Sequence, residues 1–496
     1  MKHTQRISSI LVLAAMILTM IPACSESQNA VVPEEETASS VTQDPVEEAE
    51  AESETEENDY IPDGIPDADF GGVTIQFICP TWYNAPSFIY ATELNGEVVN
   101  DAFYNQRMEV QERFNVSVEM EIYPDEGGGT KVEQNIHQMV AAGDDTYDLV
   151  YNGDGCGVRN GLGGDFLNLR TIPTIDFDKP WFKGTTDLFT VGGKLFFTAN
   201  TLSISSIYMN SILAVNKDVA ADFGHAIPYD SARAGTWVFD DMVAMTADMN
   251  QDLNGDGRMT EDDQYGFLTQ YYSELCVQCN LGGATIGKDA EGWLDFVADN
   301  DRIVSVMEKY AKLMENGNSK LGASNEGGAD TFVRGHSLFC FLEGRVLSTK
   351  VRSSDITYGV LPFPKYDENQ QDYSGAGYDL YWGIPLTSKN ADITGTLVSA
   401  MSCYNYNTVV PLVWEVVLGS KLSDAPDDAD MFRIIRDVQY VDIGYACSCS
   451  MSTFTDFIFL LNKTQPGEVI SFMEKRLKPL RKSIDRMNKT FEELGG

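Results

Sequence analysis

The chain has 496 residues, with 75 Asp and Glu against 35 Lys and Arg and a formal net charge of −40. A surface this acidic repels phosphate groups, which excludes nucleic acid and anionic lipid headgroups as general partners. The length exceeds one ordinary domain and predicts two domains of about 200 residues each.

The N-terminus has the pattern of a bacterial lipoprotein signal peptide. Lys2 and Arg6 precede an apolar run, and Ala23 stands before Cys24. The run is shorter than the roughly 20 residues of a membrane-spanning helix, and a small residue before the cysteine suits cleavage. We therefore predict that residues 1–23 are removed, that Cys24 carries lipid, and that the protein is anchored on the extracellular face of the cell membrane.

An acidic segment follows the predicted cleavage site. Residues 25–60 contain 13 acidic residues and no Lys or Arg. Such a composition cannot bury enough apolar area to offset the entropy cost of folding. We predict a disordered tether over residues 24–66, extended by repulsion between its like charges.

Eight cysteines remain after Cys24, and their pairing cannot be deduced from the sequence. Cys276 and Cys279 lie in a predicted helix without the strand-to-helix setting of a redox motif. No second Cys or His pair lies at zinc-finger spacing. These spacings favour structural or unpaired thiols.

The first folded segment predicts α/β structure with candidate ligand contacts at strand ends. An apolar run over residues 73–79 predicts a strand, and Trp82, Tyr83 and Asn84 follow it. A second short strand is followed by Asp154. Ligands of open α/β sheets bind outside the carboxyl ends of strands, so these four side chains are candidate contacts. Packing of the aromatic loop against its own lobe is the alternative.

Two extended runs, over residues 194–198 and 207–215, flank a bridge of small polar residues. The pattern predicts a crossover between two lobes, followed by a helix that starts near residues 216–218. Ligands of two-domain proteins bind between the domains, so bridge residues such as Ser203 are candidate contacts.

The most specific motif runs from Asp252 to Asp263. Oxygen-bearing side chains occupy loop positions 1, 3 and 5 (Asp252, Asn254 and Asp256), glycine occupies position 6, and a carboxylate occupies position 12. That spacing surrounds a hard cation with side-chain oxygens and the Arg258 carbonyl, so we predict a structural calcium site. Position 12 is Asp rather than Glu, and no paired EF-hand helices flank the loop. A solvated turn is the alternative.

Two further aromatic clusters complete the set of candidate ligand contacts. The members are Tyr271 and Tyr272 in one segment, and Tyr378, Asp379, Tyr381 and Trp382 in a segment dense in glycine. Aromatic rings beside hydrogen-bonding groups are typical of sites for sugars, and we expect Trp382 to be the strongest contact. A core position is the alternative for half of the later cluster.

The order of these motifs resembles the extracellular solute-binding lipoproteins of bacterial ABC transporters, in the carbohydrate-type family related to maltose-binding protein. The matching segments are the lipobox at Cys24, Gly193-Lys-Leu-Phe196 followed by Asn216-Lys-Asp218, Gly235-Thr-Trp237, the calcium-like loop running into Tyr265-Gly266, residues 332–339, residues 358–365, and Gly383-Ile-Pro385. Their order covers most of the chain from about residue 73 onward.

The resemblance implies an α/β fold of the type II periplasmic-binding-protein kind, with two α/β lobes around a hinged ligand cleft. It implies crossings between the lobes near residues 198–206, 335–343 and 385–391. The corresponding division gives residues 67–200 and 340–386 to lobe 1, and residues 201–339 and 387–496 to lobe 2.

The resemblance also implies a monomeric protein that is not an enzyme. It would capture a small solute, a carbohydrate or oligosaccharide, and deliver it to an ABC transporter permease. A secreted, calcium-stabilised glycoside hydrolase is the main alternative, because carboxylates are plentiful and two acids suffice for glycoside chemistry. A surface adhesin or sensor ectodomain is a third alternative. Turnover of oligosaccharides would favour the hydrolase, and binding without turnover would favour transport.

Overall fold

The structure is a computed structural model that describes residues 60–298, 300–315, 317–318, 321, 326–377, 379–414, 426–447, 457 and 465–494. The predicted signal peptide, Cys24 and most of the predicted tether lie outside the described residues. Within those ranges, no helix combines the length and the apolar character needed to cross a membrane.

Strands and helices alternate along the described chain. The strands are β1 (Val73–Pro80), β2 (Val116–Tyr123), β3 (Leu149–Asn152), β4 (Ser211–Asn216), β5 (Tyr265–Thr269), β6 (Ile286–Lys288), β7 (Leu294–Phe296), β8 (Gly317–Asn318), β9 (Ser337–Glu343), β10 (Tyr358–Leu361), β11 (Gly375–Gly377), β12 (Tyr381–Gly383) and β13 (Gln439–Val441). The helices are α1 (Val98–Phe114), α2 (Thr130–Ala142), α3 (Asp154–Leu162), α4 (Thr185–Phe189), α5 (Ser205–Met209), α6 (Lys217–Asp222), α7 (Tyr229–Arg233), α8 (Phe239–Thr246), α9 (Tyr271–Gly282), α10 (Asn300–Glu315), α11 (Gly327–Phe332), α12 (Gly344–Val346), α13 (Ala391–Tyr404), α14 (Val410–Leu412), α15 (Pro426–Asp437), α16 (Ile443–Ala446) and α17 (Val469–Glu493). Short 3₁₀ or π segments cover Trp82–Phe88, Leu169–Thr171, Leu347–Val351, Asn405–Val409 and Pro466–Glu468.

The first sheet has four strands in the order β12-β3-β1-β2. β1 runs parallel to β2 and β3, so that Phe77 lies opposite both Met120 and Leu149, and β12 is antiparallel to β3. All four residues of β3 are buried, as expected for an inner strand of a sheet covered on both faces. We call this sheet and the helices packed on it the N lobe.

The second sheet has five strands in the order β10-β4-β9-β5-β8. β5 is parallel to β8 and β9, whereas β4 is antiparallel to β9 and β10. Every residue of the central strand β9 is buried, which its continuous apolar run over residues 338–342 requires. We call this sheet and its helices the C lobe.

Sheet membership corrects the predicted division of the chain. β9 and β10 join the C-lobe sheet, so residues 340–361 do not belong with the first lobe as predicted. Helix α13 packs on α1 of the N lobe, where the Gln106 side-chain amide donates to Asn405 Oδ1 at 2.7 Å. The residues after 387 therefore begin in the N lobe rather than in the second lobe. An apolar run predicts a strand, but it does not specify the sheet that the strand joins.

The N lobe also starts earlier than predicted. The Ile61 backbone N–H donates to Asn407 Oδ1 at 3.0 Å, and Asp63 pairs with Arg113 at 2.6 Å. Residues 60–66 are therefore held on the N lobe and are not part of a tether.

The chain passes from the N lobe to the C lobe over residues 199–210 and returns between β11 and β12. The first passage agrees with the crossing predicted near residues 198–206. The crossing predicted at residues 335–343 is wrong, because β9 occupies them inside the C-lobe sheet. Residues 385–391 connect β12 to α13 within the N lobe.

Backbone hydrogen bonds hold the first two passages side by side. Thr198 and Trp382 exchange N–H···O bonds of 3.1 and 2.9 Å, and Asn210 forms a bridge with Gly377. The Trp382 indole N–H donates to Asn200 Oδ1 at 2.9 Å. We call residues 199–210 and 379–380 the hinge.

Trp382→Ala should lower the free energy of unfolding by about 3–5 kcal/mol, because the ring is 0% exposed and its N–H bond to Asn200 would be lost. Denaturant titration followed by circular dichroism measures the change. Trp382→Phe keeps most of the buried volume and should cost less. A Trp382→Ala protein as stable as the wild type would contradict the core position of this ring.

Candidate ligand-binding cleft

The carboxyl ends of parallel strands from both sheets lie at the boundary between the lobes. β1 leads into the segment Trp82–Phe88, β3 into α3, β5 into α9 and β9 into α12. Open α/β sheets bind ligands at this end of their strands. The lobes touch here, since the Arg345 guanidinium lies 4.1 Å from the centre of the Tyr83 ring.

A cavity of about 310 Å³ lies at this contact, within the range of small-ligand pockets. The N lobe, the first hinge passage and the C lobe all line it. The lining residues are Tyr83, Asn84, Ser87, Phe88, Tyr90, Val99, Asn100, Ile204, Tyr208, Arg345, Ser348 and Thr349. Burial raises the pKa of Tyr208 to about 12 and also raises the pKa of Tyr90, so both phenols stay neutral at physiological pH.

The predicted contacts Trp82, Tyr83 and Asn84 lie at this cleft. Tyr83 and Asn84 have left-handed backbones, with φ of 48° and 57°. Non-glycine residues rarely adopt this conformation, and such strain concentrates at functional sites. The Tyr83 ring stacks on Trp82 with centroids 4.5 Å apart, and Arg345 covers its other face. A ligand therefore meets the edge and hydroxyl of Tyr83 rather than a free ring face.

Arg345 is a cleft residue that the sequence analysis does not identify. One guanidinium nitrogen, Nη2, donates to Glu326 Oε1 at 2.8 Å and to Glu343 Oε2 at 2.9 Å. Lys350 also pairs with Glu326, at 2.9 Å. Burial opposes ionisation of Glu326, but the bonds from Arg345 and Lys350 outweigh it and lower its pKa. The charge of Arg345 is therefore balanced and its position is fixed.

Tyr381 and Trp382 correct the expectation that they form a ligand surface. Both are 0% exposed, and Tyr381 meets the Phe189 ring edge-on at 5.1 Å between centroids. Successive residues of a strand point to opposite faces of the sheet, and both faces are covered at β12. The structure therefore places these two rings in the core of the N lobe.

For three predicted contacts the structure describes only the backbone, and for a fourth, Tyr378, it describes nothing. Asp154 begins α3 and Tyr271 and Tyr272 begin α9, so their backbones lie at the carboxyl ends of β3 and β5. Their side-chain positions, and Tyr378 as a whole, lie outside what the structure describes. Their role in ligand binding stays a prediction.

Ser203 and Asp379 come together inside the hinge instead of lining the cavity. They are 5% and 3% exposed. The Tyr151 hydroxyl bonds with Ser203 and donates to Ser205 Oγ at 2.9 Å, and Ser205 in turn donates to Asp379 Oδ1. These groups join the passages between the lobes.

The calcium-like loop forms an exposed turn outside the cleft. Asp252, Asn254, Asp256 and Arg258 are exposed, and Asp263 is buried. The loop is closed by carboxylates that accept backbone N–H groups, with Asp252 accepting from Gly255 and Gly257 at 2.6 and 2.7 Å, and Asp263 from Leu253 and Thr260 at 2.9 and 2.7 Å. In the described parts of the chain, no three His, Cys, Asp or Glu side chains converge as a metal site. The residues as placed do not fit a bound cation, and calcium binding stays a proposal that requires them to reorient.

Comparison with known proteins defines the fold. No protein-family model matches the chain, and neither does any curated protein. The GacH receptor of Streptomyces glaucescens, solved unliganded and with acarbose, matches 85% of this chain and 99% of its own, with 12% identity and a TM-score of 0.51. Maltose-bound T. maritima MalE3 matches 84% and 100%, with 13% identity and a TM-score of 0.49. The ABC substrate-binding protein Lmo0181 from Listeria monocytogenes, in complex with cycloalternan, matches 85% and 99%, with 13% identity and a TM-score of 0.47.

The likeness to the GacH receptor, with the two sheets described above, confirms the predicted fold class. The chain has the two-lobed α/β fold of the GacH receptor. An identity of 12% supports the fold and nothing finer.

The calcium proposal is tested by thermal unfolding with calcium and with a chelator. If the ion binds, chelation should lower the Tm of the wild type but not that of Asp256→Ala, because that variant lacks a predicted ligand oxygen. Asp256 also accepts the Arg258 backbone N–H at 2.8 Å, so the variant is compared with itself in the two conditions. Asp263→Ala is the control and should lower the Tm in both conditions, since its carboxylate accepts two backbone N–H groups of the loop. Equal wild-type melting curves with and without chelator would contradict calcium binding.

Proposed function

We propose that this protein captures a carbohydrate between its two lobes for an ABC transporter. The observation that carries the proposal is the cavity whose walls come from both lobes and from the hinge. A protein that closes around its ligand by hinge motion needs such a shared wall. The GacH receptor, which shares the fold, was solved with acarbose, a carbohydrate ligand.

The chemistry of the lining supports a ligand rich in hydroxyl groups. Polar side chains and neutral aromatic rings both line the cavity. The Ser348 and Thr349 hydroxyls donate to the Arg345 carbonyl at 3.0 and 2.8 Å, so toward a ligand their oxygens act as acceptors of its hydroxyl protons. Amphipathic ligands are held by such combinations of apolar surface and a few placed polar groups. Arg345, the one charged residue among the described residues of the lining, is already paired with two carboxylates. An uncharged sugar or oligosaccharide suits this environment better than an anionic solute.

We expect Tyr83→Ala to weaken sugar binding by about 1–3 kcal/mol, the range typical of aromatic residues at the centre of a binding site. A thermal-shift screen over maltose, cellobiose and longer oligosaccharides identifies the sugar, because ligands that bind only the native state raise its Tm. Titration calorimetry then compares the variants. Tyr60→Ala, at a residue 61% exposed and outside the cavity lining, is the matched control.

A wild-type protein stabilised by none of these sugars would contradict the proposal. So would a Tyr83→Ala protein that binds the sugar as tightly as the wild type. Chromatography of the same mixtures tests the hydrolase alternative, which predicts cleavage products.

Membrane anchoring and delivery to a permease are part of the same proposal. They are supported by the order of charged start, apolar run, small residue and cysteine at residues 2–24. A lipid at Cys24 followed by an acidic segment would hold the lobes near a permease while keeping them in solution.

Cys24→Ser should abolish lipid attachment, leaving the protein unprocessed or released from the membrane. Fractionation of expressing bacteria, combined with metabolic labelling by a fatty-acid analogue, measures both effects. A serine substitution at Cys79, a buried thiol of β1, is the control and should leave lipid labelling unchanged. Unchanged processing and membrane retention in Cys24→Ser would contradict the anchor.

A further inference from the structure

The hinge contains a buried chain of hydrogen bonds that joins both passages to the N-lobe sheet. Ser203 and Ser205 belong to the first passage, Asp379 to the second, and Tyr151 to β3. The Tyr151 hydroxyl donates to Ser205 Oγ at 2.9 Å, and the Ser205 hydroxyl donates to Asp379 Oδ1. The Ser203 hydroxyl lies 2.9 Å from the same Ser205 oxygen and also contacts the Tyr151 hydroxyl. Because these bonds connect both passages, a change of protonation or position at any one of these groups alters the hydrogen bonding of both passages.

Asp379 is the acidic end of this chain and is isolated from cations. It is 3% exposed and accepts one further bond, from the Leu380 backbone N–H at 2.8 Å. The titratable groups on its side of the N-lobe sheet are the Tyr151 phenol and, beyond it, the Cys79 thiol on β1, and burial raises the pKa of both. In the described ranges, no Lys or Arg forms an ion pair with the Asp379 carboxyl or affects its pKa. A carboxylate here has two hydrogen-bond donors, and no opposite charge from the described part of the chain.

This environment places the ionisation of Asp379 in the neutral range. Burial raises the pKa of Asp379 to about 7, although the bonds from Ser205 and Leu380 act in the opposite direction. Both forms of the carboxyl are then populated close to physiological pH. A carboxyl exposed to water has a pKa of about 3.9.

Asn210 is a second buried polar residue of the hinge. The Asn210 side chain is 2% exposed, and neither of its amide atoms has a hydrogen-bond partner among the described residues. The glycines of β11 lie directly against it, where a Cβ on Gly377 would approach Asn210 Cα to 2.9 Å. Buried polar groups without partners favour any conformation that hydrates them.

We propose that Asp379 makes the hinge respond to pH, with the protonated acid favouring the closed arrangement and the carboxylate favouring separated lobes. Opening that admits water to Asp379 returns its pKa toward the exposed value, so the open state binds fewer protons than the closed state. By linkage, raising the pH from about 4 to above 7 shifts the equilibrium toward the open state. The effect on sugar affinity rests on the proposed function, but the response of the hinge does not.

The test is a pH titration of the distance between the lobes without any sugar. Fluorophores attached through unnatural amino acids at Lys131 on α2 and Lys312 on α10 report that distance by energy transfer. Both positions are exposed and lie outside the hinge. The wild type should show a transition toward longer distances between about pH 4 and about pH 7, the two pKa values that bound the linkage, and no further change above it. Asp379→Asn should show none.

Two further variants keep the result interpretable. Ser205→Ala removes a hydrogen bond that stabilises the carboxylate, so the midpoint should move to higher pH. Asp148→Asn is the matched control, because Asp148 is 3% exposed but lies within the N lobe, bonded to Ser388 and Asn390. The Asp148→Asn protein should show the same change of lobe distance with pH as the wild type.

A wild-type distance that is constant from about pH 4 to about pH 8 would overturn the proposal. The same transition in Asp379→Asn as in the wild type would also overturn it. If Asp379→Asn does not fold, Ser205→Ala decides, since an upward shift of the midpoint supports the proposal and an unchanged midpoint contradicts it. No sugar is present, so the outcome is independent of the identity of the solute.

Discussion

The pairing of two passages of chain between the lobes is the constraint on which the rest of the structure depends. Thr198 and Trp382 are joined by reciprocal backbone bonds although they are far apart in sequence, and Asn210 and Gly377 repeat the contact at the C-lobe side. This pairing brings β12 back to the N-lobe sheet and places β4 at the start of the C-lobe sheet. It therefore fixes which strand ends can face each other across the cleft.

The cleft follows from that arrangement. Parallel strands of both sheets end at the lobe boundary, so loops that are distant in the chain meet there. Tyr83 has a left-handed backbone just after β1, and Arg345 is held by Glu326 and Glu343 just after β9. Each side of the contact between the lobes is therefore fixed by its own lobe. Such preorganisation reduces the entropy lost when a ligand is bound.

The sequence predicts the parts of this structure that depend on local pattern. The strand before Trp82, the two-lobed fold and the passage near residues 198–206 all follow from periodicity, turn residues and motif order. Burial of Trp382 does not, because an aromatic residue beside glycines has the same local pattern in a core as in a cleft. Arg345 gains its role from Tyr83 and Glu326, which only the tertiary structure brings near it. Sheet membership of β9 is equally non-local, which explains the misplaced second crossing.

Hydrogen exchange with and without the sugar that stabilises the protein tests the central claim, that the solute binds between the lobes. The account predicts that residues 82–88 of the N lobe and residues 344–349 of the C lobe become protected together when the sugar is added, while the outer strand β2 is unaffected. Protection confined to one lobe, or absent from both of these segments, would contradict it.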